Sequence, residues 1–275
     1  MRISALCLSL LIILFISSCS NPNDPLHNSP RAILDPSAIS IDSLTRTVAE
    51  LSGERSTVIY GRKVTILSRN MKFEGNSDAA DYLEEKLKRL GLQVINQRYS
   101  ATGRNILAIQ EGENKENYFV ICAHYDSYPE NILSPGADDN ASGTAVVLEA
   151  ARVISKLKPQ YSVLYAFWDE EEGGTKLHGS AYFADSASRA QMKIKLVLNM
   201  DMLGYDGDND GLTVLFQPAE YGAGQYADII HDVNEKHGFG VKFWQRLKAA
   251  PSDDVFFYDK KFCTLAFGEK LQPLP

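Results

Sequence analysis

Residues 117–127 read NYFVICAHYDS. The run from Tyr118 to Ala123 is apolar without a break, then His124 and Asp126 follow. A strand this uniformly apolar is covered on both faces, as strands of a parallel sheet are. In an open α/β sheet, ligands bind at the carboxyl ends of the strands. This stretch therefore predicts both a central strand and a polar site at its end.

Similar runs occur on either side of it. NILAIQ (105–110), SVLYAFW (162–168), KLVLNMDML (195–203), LTVLF (212–216) and FCTLAF (262–267) all read as strands. Helical patterns alternate with them. SIDSLTRTVAELSG (40–53) is capped by Ser40 or Asp42 and stopped by Gly53. In NSDAADYLEEKLKRLGLQV (76–94), Ala79, Leu83, Leu87 and Leu90 recur at helical spacing. Asn76 or Ser77 is its expected cap, and Gly91 its stop. Two more helices are expected over 142–157 and 224–236, the second ending at Gly238. Strands and helices in alternation predict an α/β fold, a three-layer αβα sandwich around a mostly parallel mixed sheet.

Composition narrows the class. The chain has 275 residues, 44% hydrophobic and 23% charged, with a net charge of −7 that argues against a nucleic-acid surface. Residues 1–20 (MRISALCLSLLIILFISSCS) begin basic at Arg2, continue apolar and end in small residues, which reads as a secretory signal. ISSC (16–19) resembles a bacterial lipobox, which implies lipidation of Cys19; Ser20 after it implies outer-membrane sorting. Residues 1–19 are thus read as a lipoprotein signal peptide. Residues 20–38, rich in Pro, Asn and Ser, read as a tether, and residues 39–275 as one domain. The expected location is the cell envelope, with the membrane reached through the N-terminal lipid. Cys122 and Cys263 lie in apolar runs and read as buried free thiols.

Four segments place acidic or imidazole groups at strand ends: AHYDS (123–127), GADDN (136–140), FWDEEEGG (167–174) and NMDMLG (199–204). A lone His-x-Asp is common, and a triplet such as Glu170–Glu172 is normally a solvated loop. Asp201 stands differently, because a carboxylate inside an apolar run is costly unless paired or metal-bound. If the four ends converge, their carboxylates repel one another. A multivalent cation removes that conflict, and imidazole with carboxylates suits zinc.

The ordered set AHYDS, PGADDNASG, EEEGG with HGS, NMDMLG and SDDVFF resembles metallopeptidase family 28, the co-catalytic zinc aminopeptidases, over about residues 73–269. That family includes leucyl aminopeptidases, glutamate carboxypeptidases and glutaminyl cyclases. The resemblance implies a zinc exopeptidase fold, two zinc ions and peptide substrates that lose their N-terminal residue. Carried over by position, it implies that His124 and Asp201 hold the first zinc, Glu172 the second, and Asp138 bridges both. Glu171 is then the general base and acid, and Asp126 orients the imidazole of His124. Asp139 is implied to shape the turn, after a cis bond between Asp138 and Asp139.

The match departs from the family in two places. The resemblance calls for a fifth ligand, a histidine after the last core strand, yet the histidines are His27, His124, His178, His231 and His237. The second site is therefore expected to be incomplete, the domain to lack its C-terminal end and final helix, and activity to be impaired. Residues 252–254 read SDD where the family has SDH, with Asp254 at the histidine position. Two alternatives stay open, a non-catalytic zinc- or peptide-binding lipoprotein and a glutaminyl cyclase. Phe256, Phe257 and Tyr258 read equally as a specificity wall or as a structural cluster.

Overall fold

The computed structural model describes residues 36–128, 130–173 and 178–269. The expected signal peptide, Cys19 and the tether up to residue 35 lie outside the described residues. Among the described residues, no helix is long and apolar enough to cross a membrane.

After a short 3-10 turn at Pro36–Ala38 comes helix α1, Ile41–Leu51. Its cap is Ser40, whose Oγ accepts the Ser43 amide at 3.1 Å. Leu44, Val48 and Leu51 form its buried stripe. Gly53 follows at φ +78°, and a Cβ there would stand 2.6 Å from the Ile66 carbonyl oxygen, so only glycine fits this stop. The hairpin β1 (Thr57–Ile59) and β2 (Arg62–Val64) forms its own two-stranded sheet.

Helix α2, Glu74–Arg89, begins earlier than its sequence suggests, with Phe73 at the cap position. The reason is tertiary. Asn76 Nδ2 donates to the Arg69 carbonyl and to Asp169 Oδ1, both at 2.8 Å, so the expected cap serves a buried network instead. Strands β3 (Gln93–Arg98), β4 (Arg104–Gln110) and β5 (Asn114–His124) follow. A tight turn at Ala137–Ser142 feeds α3, Gly143–Ile154. Then come β6 (Tyr161–Trp168), α4 (Gly179–Arg189), β7 (Lys193–Met200), β8 (Leu212–Phe216), α5 (Ala223–Lys236), β9 (Lys242–Arg246), α6 (Asp254–Asp259) and β10 (Thr264–Glu269).

The main sheet has eight strands in the order β3-β4-β6-β5-β7-β10-β8-β9. Its centre, β6-β5-β7-β10, is parallel. Strand β4 joins β6 antiparallel, and β8 joins β10 antiparallel. Alternation along the central strands splits the core into two layers. Phe119, Ile121 and Ala123 of β5, with Val163, Tyr165 and Phe167 of β6, face α1, α2, α3 and α5. Val120 and Cys122, with Leu164, Ala166 and Trp168, face α4 and Phe257 of α6. This is the expected three-layer αβα sandwich, and the unbroken apolar run of β5 reflects cover on both faces. Because β6, β5 and β7 are neighbours and parallel, their carboxyl ends open on the same edge.

Candidate metal centre

At that edge the chain stops being apolar. His124 is the last residue of β5 and is 1% exposed. Its carbonyl oxygen accepts the Thr144 hydroxyl at 2.8 Å, which ties the strand end to α3. Nδ1 lies 3.2 Å from Asp126 Oδ1. Asp126 also accepts the amides of Glu171 (3.2 Å, Oδ1) and Glu172 (2.9 Å, Oδ2). One buried carboxylate thus joins the imidazole to the loop after β6.

The other ring nitrogen, Nε2, lies 3.2 Å from Asp139 Oδ1 and 3.4 Å from Asp201 Oδ1. These three ligand atoms lie within 4.8 Å of one another. Asp201 follows β7, and its Oδ2 accepts the Ser252 hydroxyl at 2.6 Å. Its Oδ1 is buried with no hydrogen-bond partner. Burial alone would push the His124 pKa down, but the carboxylates of Asp126, Asp139 and Asp201 around the ring outweigh it and hold the ring well above its ordinary range. A proton and a metal ion compete for the same Nε2 position. An orphaned carboxylate oxygen, a second carboxylate and an imidazole fixed through its far nitrogen are the donor set of a zinc site. The residues therefore fit the metal that the sequence implies.

The structure exchanges the two aspartates of the GADDN turn. Asp138 was expected among the metal-facing groups, but its Oδ1 accepts the Gly204 amide at 2.7 Å and lies 3.4 Å from Ser142 Oγ. Asp139, expected behind the turn, faces the imidazole. The backbone explains it: Asp139 and Asn140 leave helical geometry (φ −101°, ψ 98° and φ −132°, ψ 48°). Asn140 is anchored to the Met200 carbonyl at 2.9 Å and to the Gly143 amide at 2.8 Å. The cis bond likewise lies at Asp139–Asn140, one residue later than expected.

Glu171 and Glu172 are half-buried beside this group. Burial, then the charge of Asp139, pushes Glu172 up to about 8. Asp139 thus stands against His124 while its charge also acts on Glu172. Glu171 is pushed up to about 7, first by burial, with Asp201, Asp126 and Asp139 adding to it and His124 opposing.

The remaining candidates separate cleanly. His178 packs its ring against Phe256 at 5.1 Å, His231 meets Phe243 edge-on at 5.3 Å, and His237 stacks on Phe239 at 5.6 Å. Among the described residues, none of them joins the metal-ligand group. His27 lies outside the described residues. Phe257 is fully buried against Trp168 and Phe183, so it is core. Tyr258 donates to Glu220 at 2.9 Å. Asp254 accepts the Ala250 amide at 3.1 Å and is fully buried.

Sequence reasoning missed three supporting residues. Ser252 braces Asp201. Asp169 accepts the Arg104 amide at 3.0 Å and the Asn76 amide group at 2.8 Å, fixing the start of the acidic loop. Arg69 is fully buried behind the turn. Ser252 and Asp169 sat inside the quoted motifs; Arg69 lay in SRN (68–70), which carries no signal of its own.

An αβα sandwich and a His–Asp–Asp group that could hold a metal ion thus come together at one sheet edge. Residues 105–273, more than half of the chain, match the family described as Peptidase family M28, and the chain belongs to that family. It is 31% identical over 170 residues to "Aminopeptidase YwaD" of Bacillus subtilis, covering 57% of this chain and 36% of that protein. The chain spans about two-fifths of the length of the curated relatives it matches. The Legionella pneumophila LapA aminopeptidase superposes with a TM-score of 0.70 at 20% identity, over 85% of this chain and 61% of that one. A Bacteroides thetaiotaomicron glutaminyl cyclase superposes at 0.65 and 20% identity, over 83% and 84%. At these identities the structural likeness speaks for the fold alone.

Proposed function

We propose that this chain is a zinc aminopeptidase that removes the N-terminal residue of peptides. The observation that carries the reading is Asp139, which stands 3.2 Å from His124 Nε2 and whose charge also acts on Glu172. A carboxylate between two ligand sets suits a bridge between two metal ions. In this reading His124, Asp139 and Asp201 hold the first zinc, and Asp139 with Glu172 offers the second position. The bridging role falls to Asp139 rather than to Asp138.

Zinc, when bound here, supplies a Lewis acid that lowers the pKa of water and polarises a carbonyl. The chain's own residues do the rest. Glu171 is half-buried among the site's carboxylates, and burial raises its carboxyl above the ordinary range, as suits a group that takes and returns a proton. It takes the proton from the attacking water and passes it to the leaving amine. Asp126 holds the His124 ring in place and anchors the Glu171 and Glu172 amides.

The experiment is a zinc-dependent assay of the full chain with leucyl-p-nitroanilide and with a peptide bearing an N-terminal glutamine. Release of the leucyl group, lost on chelation and restored by zinc, supports the reading. Pyroglutamate formation without hydrolysis moves the chain to the cyclase alternative. Zinc binding with neither activity makes it a binding protein.

We further propose, from the sequence features alone, that the chain is exported and anchored through lipid on Cys19. Labelling with a fatty-acid analogue, lost in Cys19→Ser, tests this.

A further inference from the structure

Arg69 is fully buried, yet among the described residues no carboxylate forms an ion pair with it. Its guanidinium spends its donors on backbone carbonyls. Nε donates to Tyr125 at 2.6 Å. One terminal nitrogen donates to Leu51 and to Pro135, both at 2.7 Å. The other donates to Gly136 at 2.8 Å. Its amide also donates to Ser127 Oγ at 3.0 Å, and Ser127 in turn donates to the Ser134 carbonyl at 3.0 Å.

The acceptors are not scattered. Tyr125 stands between His124 and Asp126. Pro135 and Gly136 open the turn that presents Asp139. Leu51 ends α1 and supplies a fixed outside point. One rigid, planar group therefore sets the distance between the strand end carrying His124 and the turn carrying Asp139. Gly136, at φ +47°, has no room for a side chain: a Cβ there would stand 2.3 Å from the Asp139 carbonyl oxygen and 2.8 Å from the guanidinium.

Burying a guanidinium without a direct counter-ion is costly. Apolar residues could fill this volume without that cost, so packing does not account for an arginine here. The charge faces a site crowded with carboxylates; Asp126, Asp139 and Glu172 all act on it through space. Burial lowers its pKa only to about 10, so it stays charged at neutral pH.

We propose that Arg69 is a positioning residue for the metal centre: by clamping the Tyr125, Pro135 and Gly136 carbonyls it fixes the spacing of His124 and Asp139 before the metal arrives. This rests on the reading of His124, Asp139 and Asp201 as zinc ligands. A lysine keeps the charge but presents a single ammonium in place of the planar fork. A glutamine keeps a planar pair of donors without the charge.

The test measures zinc affinity of the full chain against a chromophoric chelator, beside thermal melting in excess chelator, for wild type, Arg69→Lys and Arg69→Gln. Outer partners of metal ligands typically govern affinity by about 10- to 100-fold. The expected result is at least a tenfold loss of zinc affinity in a variant that still melts cooperatively without metal. Zinc affinity within twofold of wild type in such a variant overturns the proposal and leaves Arg69 as a staple of the fold. If neither variant folds with or without zinc, the residue is likewise a staple and the proposal falls. Wild type that binds no zinc sinks the metal-site reading itself, an outcome distinct from wild type and variants binding alike.

Discussion

Asp139 Oδ1 stands 3.2 Å from Nε2 of His124, while the neighbouring Asp138 turns its carboxylate to the Gly204 amide. Two adjacent residues of one type therefore have unlike tasks, and substitution separates them. Asp139→Asn removes a charge from between His124 and Glu172, and zinc content should fall well below that of wild type. Asp138→Asn keeps an acceptor for Gly204 and should leave the zinc content unchanged. Elemental analysis of both variants after dialysis decides it. The opposite ranking would return the bridging role to Asp138.

Asp126 accepts three bonds, from the ring of His124 and from two amides of the acidic loop. Asp126→Asn keeps the shape but loses the charge that favours Nδ1–H and strengthens Nε2 as a donor to metal. Zinc affinity should fall about 10- to 100-fold, the usual effect of such a partner. Chelator competition measures it. An unchanged affinity would mean that the ring is held by packing alone.

Neither Glu171 nor Glu172 is among the three grouped ligand atoms, and burial pushes Glu171 up to about 7, with neighbouring carboxylates adding to it. Glu171→Gln should lower kcat by about 10²- to 10⁴-fold, the range for general acid–base groups, with zinc content and KM little changed. Glu172→Gln should instead lower zinc content. Equal zinc loss in both variants would show that the two glutamates are not divided into base and ligand.

The central strands were legible because burial on both faces leaves an unbroken apolar run, as in Phe119–Ala123. Helix α1 was legible to its cap because Ser40 acts locally, on Ser43. Asn76 misled because its partners, Arg69 and Asp169, are brought near only by the fold. The convergence of His124 and Asp201 follows from adjacent parallel strands, which the motif order implied. The choice between Asp138 and Asp139 did not follow, since it depends on the backbone angles of one turn. Arg69 was invisible for a related reason: its acceptors are backbone carbonyls, which leave no side-chain pattern in sequence.

Asp254 provides a prediction about stability rather than activity. It is fully buried, and one of its oxygens has no hydrogen-bond partner. Burial pushes its carboxyl from 3.8 up to about 8. The unfolded chain releases this proton near 3.8, and the native chain holds it to about 8. Between those values the native state binds the extra proton, so stability falls as pH rises. Below the lower value the group imposes no penalty, and above the upper one the penalty levels off. Each pH unit inside the window costs about 1.4 kcal/mol at most. Asp254→Asn keeps an acceptor for the Ala250 amide and removes the titration. Its stability relative to wild type should therefore climb steadily from pH 5 to pH 8. Urea unfolding in chelator at each pH measures the difference. A difference that stays flat across that range would show that Asp254 ionises in the native protein as it does in the unfolded chain.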